Sequence, residues 1–185
     1  PQVVLEMELM LGFPTETEKE ALQTYEFLKG LKWVHFPNLN ILKIYPNTEM
    51  YRLASENGVG ENAIQRSVNL AYHELPDTLP FSKVFVKEYQ TRFMNEYLLS
   101  RERLLHVLPH QVKTLTENEL VQKYNSYLPV DIKSFPDIMD CAGITGTEMG
   151  NIEFLTANDM AAPGFVEKVG RYFPAKEKSD NPFKI

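Results

Sequence analysis

Two short turns carry the residues best placed for chemistry. Gly12-Phe13-Pro14-Thr15-Glu16 follows one apolar run, and Tyr45-Pro46-Asn47-Thr48 follows another. Glycine lets a ligand approach the backbone closely, and a helix start offers free N–H groups and the positive end of a dipole. In parallel α/β proteins, ligands bind at the carboxyl ends of strands, where such turns lie. Ordinary strand-to-helix turns would explain the same residues, because position in a fold does not establish function.

A strand and a helix must position the first turn. Val3 to Leu11 is apolar with two interleaved glutamates, which predicts a strand with one better-buried face. Thr15 with Glu18, and equally Thr17 with Glu20, fits the capping box at a helix start. The apolar residues that follow recur at helical spacing: Ala21, Leu22, Tyr25, Leu28 and Leu31.

A second strand and helix must position the second turn. Leu39 to Ile44 is rich in strand-forming residues, and Tyr45-Pro46-Asn47 ends the run. Thr48 is the expected N-cap of the next helix, with Gly58 beyond its end. Strand, helix, strand and helix in this order predict the βα repeat of a parallel sheet or barrel; as a barrel it would be a partial TIM-type barrel, of which this chain supplies two βα units.

The chain becomes all-helical after Gly60. The apolar spacing predicts a helix through Ile64, Val68, Ala71 and Leu75, and a long one from Ser82 to Leu108 that Pro109 stops. Further helices are expected after Thr116, between Ser134 and Gly143, and from Pro163. We therefore predict an α/β piece at residues 1–60, an all-α domain at 61–174 and a loose charged tail at 175–185, mostly helical overall.

Composition narrows the classes of partner. A net charge of −6 over 185 residues argues against a nucleic-acid-binding protein or an anionic membrane surface, because both need clustered Lys and Arg. No apolar run is long enough to cross a bilayer. A single cysteine, Cys141, excludes an intramolecular disulfide and favours a cytoplasmic protein. The chain begins without Met at Pro1, so we expect a trimmed piece of a longer protein.

Two strands cannot close a barrel and leave unpaired backbone at an edge. We therefore expect the strands either to pair with another copy, giving a homo-oligomer, or to pack against the helical region.

Both turns resemble motifs of the radical S-adenosylmethionine (SAM) superfamily. The residues that carry the resemblance are M-L-G-F-P-T-E-T-E-K-E and, after one helix, I-Y-P-N-T-E-M-Y. In that family a strand ending in a G-x-P-x-E-T turn precedes a strand that ends in a similar proline turn. The helical remainder is similar, more weakly, to the C-terminal region of cobalamin-binding radical SAM proteins, some labelled anaerobic Mg-protoporphyrin IX monomethyl ester cyclases or Fe–S oxidoreductases.

The resemblance implies a partial barrel that binds a [4Fe–4S] cluster and SAM, cleaves SAM to a 5′-deoxyadenosyl radical and acts on a small-molecule substrate, with cobalamin use left open. The first turn would lie beside SAM, and the second strand end would face adenine. Matching the family motifs position by position gives Gly12, Pro14 and Glu16 in the first, and Pro46, Thr48 and Tyr51 in the second. The cofactor-binding residues implied are Gly12, Pro14, Glu16, Lys43, Tyr45 and Pro46.

This sequence departs from the family in two respects. Asn47 stands where the family usually has Gly, but Asn tolerates the left-handed backbone conformation. The family's cluster needs three thiolates in an upstream C-x-x-x-C-x-x-C loop, and Cys141 is the chain's one cysteine. The upstream part of the same polypeptide is therefore the partner that the resemblance implies. We expect no cofactor bound to this chain alone, and no catalysis by it.

Other reactive residues fit structural roles better. His106 and His110 have the spacing of a metal pair, but Pro109 should end the helix between them; His35 and His73 have no partner pattern. Cys141 has no activating neighbour in sequence and is expected to be half-buried. Core packing explains the row Phe85, Tyr89, Phe93 and Tyr97. Arg101, Glu102 and Arg103 are expected on a solvated face.

Two other functions stay open. The helical part could be a protein-interaction module on a truncated α/β scaffold, which an exposed apolar stripe between Phe85 and Leu108 would favour. Alternatively, a different barrel enzyme could bind phosphate at the helix start after Gly12.

Overall fold

A computed structural model describes residues 3–71, 74–128, 130–150 and 152–154. This part of the chain is mostly helical, with a two-stranded parallel sheet near its start, as the α/β-plus-helical prediction requires. The elements are β1 (Glu6–Leu11), α1 (Glu18–Lys29), β2 (Phe36–Ile41), α2 (Glu49–Glu56), α3 (Glu61–Val68), α4 (Lys83–Arg92), a π-helix (Phe93–Leu98), α5 (Arg101–Gln111), α6 (Glu117–Tyr127), α7 (Phe135–Cys141) and α8 (Gly146–Met149).

The second strand lies three residues earlier than predicted. β1 and β2 pair in parallel from Glu6 opposite Phe36 to Leu11 opposite Ile41, with α1 as the crossover. The Leu42 N–H still donates to the Leu11 carbonyl at 2.9 Å. Gly12 then leaves the strand direction at φ +102°, so β2 loses its partner and its regular pairing ends. The prediction of a strand at Leu39 to Ile44 was therefore wrong in its bounds.

The predicted helix caps are largely confirmed. Of the two capping boxes offered for α1, Thr17 with Glu20 forms, and the Thr17 N–H donates to the Glu20 carboxylate at 2.8 Å. Thr48, Ser82 and Thr116 cap α2, α4 and α6 through their side-chain oxygens. These local signals work because a single side chain satisfies a backbone N–H group a few residues away.

The long helix predicted from Ser82 to Leu108 is divided. α4 passes into the π-helix, where the Leu99 N–H donates to the Met94 carbonyl at 2.8 Å. The π-helix ends at Leu98, and α5 begins at Arg101. Pro109 does not stop α5, which continues to Gln111, and the Val112 N–H bonds the Leu108 carbonyl at 3.0 Å. A proline removes its own donor without removing those that follow. Burial of Leu104, Val107 and Leu108 holds the helix in place.

Two other helix predictions differ from the structure or lie outside it. α3 ends at Val68, before Ala71 and Leu75 of the predicted pattern. The predicted helix from Pro163, the tail 175–185 and His73 lie outside the described residues.

One hydrophobic core spans both parts of the chain. Leu11, Tyr25 and Phe36 of the βα part share it with Tyr89 and Tyr124 of the helical part. The expectation that the strands pack against the helical region is therefore met, whereas pairing with a second copy stays a prediction. The division into separate domains at residue 60 also stays a prediction.

The aromatic row on α4 and the π-helix belongs to this core. Tyr89, Phe93 and Tyr97 are buried and Phe85 is half-buried, which confirms that these rings serve packing. Among the described residues, no helix is both long enough and apolar enough to cross a bilayer.

Candidate functional site at the strand ends

The first turn is closed by its own glutamate. The Glu16 carboxylate accepts hydrogen bonds from the Gly12 N–H at 2.7 Å and the Phe13 N–H at 3.2 Å. Pro14 and Gly12 are buried, while Glu16 is half-buried. The carboxylate thus occupies the N–H groups that an anionic ligand would need, which makes this turn a poor phosphate site.

The second turn has the left-handed residue that the sequence allowed. Asn47 adopts φ +62°, the left-handed conformation that asparagine tolerates. The Thr48 hydroxyl donates to the Tyr45 carbonyl at 2.7 Å and accepts the Tyr51 N–H at 3.2 Å. Tyr45 itself is 52% exposed, whereas Pro46 is half-buried. The turn is ordered by its own residues and presents an aromatic ring to solvent.

Both turns follow the carboxyl ends of the two paired strands and lie at the same end of the sheet. Leu11 and Leu42 are joined by a backbone hydrogen bond, and a Cβ built on Gly12 would lie 4.0 Å from the Leu42 Cβ. The structure therefore brings the starts of the two predicted site segments side by side. Lys43, Tyr45 and Pro46 follow along one of them, and Pro14 and Glu16 along the other.

The segment after α2 covers these strand ends through residues that the sequence did not single out. A Cβ on Gly12 would overlap the Leu79 Cδ2. The Ser67 hydroxyl lies 3.5 Å from the Ile44 carbonyl, and the Lys43 ammonium donates to the Leu70 carbonyl. Nothing in the residue types at 67–79 signals this contact. A ligand that approaches the Gly12 backbone has to displace the Leu79 side chain.

The remaining histidines form no metal site in the part of the chain that the structure describes. His106 and His110 are exposed on α5 and pack against Trp33, with ring centroids 5.2 Å and 5.6 Å away. His35 is buried, and its Nδ1 accepts the Leu5 N–H at 3.1 Å. These rings serve packing at the amino end of β2.

Arg103 contradicts the predicted solvated face. Arg101 and Glu102 are exposed, but Arg103 is only 2% exposed. Its guanidinium donates to the carbonyls of Leu98, Val34 and His35 at 2.6–2.8 Å. Its place in the charged run Arg101-Glu102-Arg103 suggested an exposed side chain and hid its role in joining α5 to the residues just before β2.

Cys141 does not fit an iron–sulfur cluster. It lies exposed at the end of α7, not half-buried as expected. Desolvation, together with the nearby carboxylates of Asp137 and Asp140, raises the pKa of its thiol, so the reactive thiolate is disfavoured. A cluster needs three thiolates and the chain has one cysteine, so its residues do not fit this cofactor.

Comparison with known proteins gives one distant relative. The chain is 28% identical over 141 residues to the threonylcarbamoyladenosine tRNA methylthiotransferase MtaB of Bacillus subtilis (strain 168). The match covers 75% of this chain but 28% of MtaB, so the chain spans less than a third of that relative's length. No family model matches the chain. No solved structure matches it.

The relationship bears on the superfamily only. The match gives weak support for an origin of this chain in the radical SAM superfamily. It carries no information on cobalamin or on a cyclase reaction.

Proposed function

We propose that the chain is the C-terminal part of a radical SAM oxidoreductase or transferase, in which the ends of β1 and β2 form one wall of the SAM site. The [4Fe–4S] cluster and the rest of the barrel would belong to the preceding part of the same polypeptide. Together these cofactors would supply a 5′-deoxyadenosyl radical, as the resemblance implies. The chain alone would lack this activity, because it cannot provide three thiolates.

One observation carries the proposal. The two segments that resemble radical SAM motifs leave a parallel sheet side by side, joined by the hydrogen bond between Leu42 and Leu11. This is the end of a parallel sheet at which ligands bind in α/β proteins. The distant match to MtaB supports the same superfamily.

The residues of the wall would act mainly through backbone and shape. Gly12 has no side chain to block a ligand, and Glu16 holds the turn through two N–H groups. Lys43 and Pro46 would present strand-end backbone to adenine, and the exposed Tyr45 ring offers a stacking surface. Pro14 is buried, and its ring restricts the backbone of the turn.

The substrate in this proposal is a small molecule. MtaB is named for an action on tRNA, but this chain has a net charge of −6, which disfavours phosphate-rich partners. In its most specific form, the proposal includes cobalamin binding and a Mg-protoporphyrin cyclase reaction. Only the similarity of the helical part supports these two claims. A cytoplasmic location stays a prediction.

The two alternative functions find little support. An interaction module was to be favoured by an exposed apolar stripe, but Tyr89, Tyr97 and Leu104 lie in the core. A phosphate site after Gly12 is disfavoured by the Glu16 carboxylate on the same N–H groups.

Reductive SAM cleavage tests the proposed function. A polypeptide containing this chain and its preceding segment, reconstituted anaerobically with iron and sulfide, should form 5′-deoxyadenosine from SAM and dithionite. The 185-residue chain treated identically should form none. Glu16→Ala should weaken SAM binding, whereas Glu18→Ala, at the same helix start but without bonds to the turn, should not. A longer polypeptide that assembled a cluster but left SAM intact would contradict the proposed function.

A further inference from the structure

The two faces of the sheet differ in chemistry. One face packs against the core through Met7, Leu9 and Leu11 of β1 with Leu39 and Ile41 of β2. Because side chains alternate along a strand, the residues between them point the other way. The register pairs these residues across the strands as Glu6 with Phe36, Glu8 with Asn38 and Met10 with Asn40. We refer to Glu8, Met10, Asn38 and Asn40 as the polar face.

Glu8 is held by the two asparagines of the neighbouring strand. Asn38 Nδ2 donates to Glu8 Oε1 at 2.8 Å, and Asn40 Nδ2 donates to Glu8 Oε2 at 2.5 Å. A carboxylate only accepts hydrogen bonds, so the nitrogen of each carboxamide must face it. The Asn38 carbonyl oxygen consequently points away from Glu8. The face is therefore rich in acceptors and fixed in geometry by the sheet.

The charge of Glu8 is not balanced by a cation. Glu6, one pair further along β1, forms an ion pair with Lys123 of α6. Among the described residues, by contrast, no ion pair joins Glu8 to a lysine, arginine or histidine. Its two partners are neutral amides. Glu8 is also exposed, so its negative charge faces solvent at the centre of the polar face.

Packed elements limit the polar face at both ends. At the amino end, Tyr124 of α6 packs against Phe36 with ring centroids 6.3 Å apart. At the carboxyl end, Leu42 and Leu79 both lie beside Gly12. Between them Met10 is 49% exposed, which adds an apolar contact beside the carboxylate.

Tyr127 of α6 lies beside the same face. Burial raises the pKa of the Tyr127 hydroxyl, the Lys123 ammonium lowers it, and the carboxylates of Glu6 and Glu8 raise it further. An aromatic side chain next to an unbalanced carboxylate suits a cation.

We propose that the polar face binds a cationic, N–H-donating group of the substrate, an alkylammonium or a guanidinium. Glu8 is the anionic acceptor, Asn38 the neutral acceptor and Met10 the apolar contact. Phosphate and carboxylate groups are rejected because the face carries acceptors and negative charge. The inference rests on the proposed function in one respect, since it takes this ligand to be the substrate of the same strand-end site.

Binding of simple cations to the 185-residue chain tests the inference. Butylammonium and ethylguanidinium chloride, titrated at constant ionic strength, should shift the NMR signals of the Asn38 and Asn40 carboxamides and the Met10 methyl saturably. Sodium butyrate, which has the same alkyl chain and the opposite charge, should not. Equal shifts with butyrate, or shifts that never saturate with either cation, would overturn the assignment.

Two variants identify the acceptor. Glu8→Gln removes the charge with little change in shape and should weaken cation binding about tenfold or more, the usual loss for a charged hydrogen bond. Met10→Lys places a competing ammonium on the exposed face and should abolish binding. Glu18→Gln, an exposed charge at the start of α1, is the matched control and should bind as the unaltered chain does. Unchanged affinity in both face variants would refute the proposal.

The test is separate from that of the proposed function. It uses neither SAM nor a cluster, so a negative result removes the polar face as a cation site and leaves SAM cleavage to be judged on its own. Conversely, a longer polypeptide that fails to cleave SAM would not alter the measured cation binding.

Discussion

At the residue scale, both the candidate site and the fold depend on Gly12. Its backbone adopts φ +102°, which side chains other than glycine rarely tolerate, and Leu79 occupies the space where a Cβ would lie. The same residue therefore shapes the turn and fixes how the covering segment sits on it.

We expect Gly12→Ala to destabilise the chain by about 1–3 kcal/mol from backbone strain and the Leu79 overlap together. In the Leu79→Ala background the overlap is gone, so the cost of the same change should be smaller. Urea denaturation of the four proteins in this cycle measures the difference. Gly146→Ala, which has open space and no positive φ, is the control and should be near neutral. Equal costs in both backgrounds would show that Leu79 does not rest on Gly12.

Arg103 joins α5 to the amino end of β2 without a carboxylate partner in the described part of the chain. Three carbonyl oxygens accept its N–H groups, and the Tyr97 ring lies 5.3 Å from its guanidinium carbon. Arg103→Met would remove three hydrogen bonds to buried carbonyls, of which the His35 carbonyl keeps the one from Gln111, at an expected cost of about 3–5 kcal/mol. The exposed Arg101→Met should change the free energy of unfolding by less than about 1 kcal/mol. Similar urea midpoints for the two variants would contradict the buried role.

His35 gives the fold a pH dependence. Burial, then the positive charges of His110 and Arg103 on α5, lowers its pKa from the ordinary value of 6.5. The unfolded chain therefore takes up this proton before the folded chain does as the pH falls. Stability should be fully present above about pH 6.5 and decline below it, towards the folded pKa.

Thermal melts between about pH 5 and 7.5, a range on both sides of the ordinary histidine pKa of about 6.5, check this expectation. His35→Asn keeps an acceptor for the Leu5 N–H but cannot titrate in this range. The variant should lose part of the acid sensitivity, whatever its stability at neutral pH. An unchanged slope in the variant would mean that another group is responsible.

At the element scale, local signals were predictable and tertiary ones were not. Thr48, Ser82 and Thr116 were identified as caps because each bonds a residue three positions away. Where β2 ends depends on where its partner β1 ends. Whether the π-helix forms depends on how its buried side chains pack in the core. Both are decided by contacts between distant residues, which apolar spacing does not encode.

Pro109 offers a test of how α5 is held. The helix forms around a residue that cannot donate to the Leu105 carbonyl, so packing must offset that loss. We expect Pro109→Ala to raise the free energy of unfolding by about 1–2 kcal/mol, after allowing for the more flexible unfolded chain. Circular dichroism melts would show it. A lower melting temperature would indicate that the proline ring itself contributes essential contacts.

At the scale of the whole molecule, the helical region is part of the strand-end site. Ser67, Leu70 and Leu79 follow the α/β piece in sequence yet cover the ends of its strands. The sequence predicted which turns could form the wall, because their motifs are local. It could not predict which residues form the cover, because a serine and two leucines have no distinctive pattern. In the enzyme we propose, this cover would have to move for a nucleoside to enter.

The most direct test of the wall is to map where SAM lies. A SAM analogue with a photoreactive azide on adenine, irradiated in the longer cluster-containing polypeptide and mapped by mass spectrometry, should label residues 43–46 of this chain. An excess of unmodified SAM should suppress the label. If the label instead falls only on α4 to α8, or on none of this chain, the ends of β1 and β2 do not form the nucleoside wall.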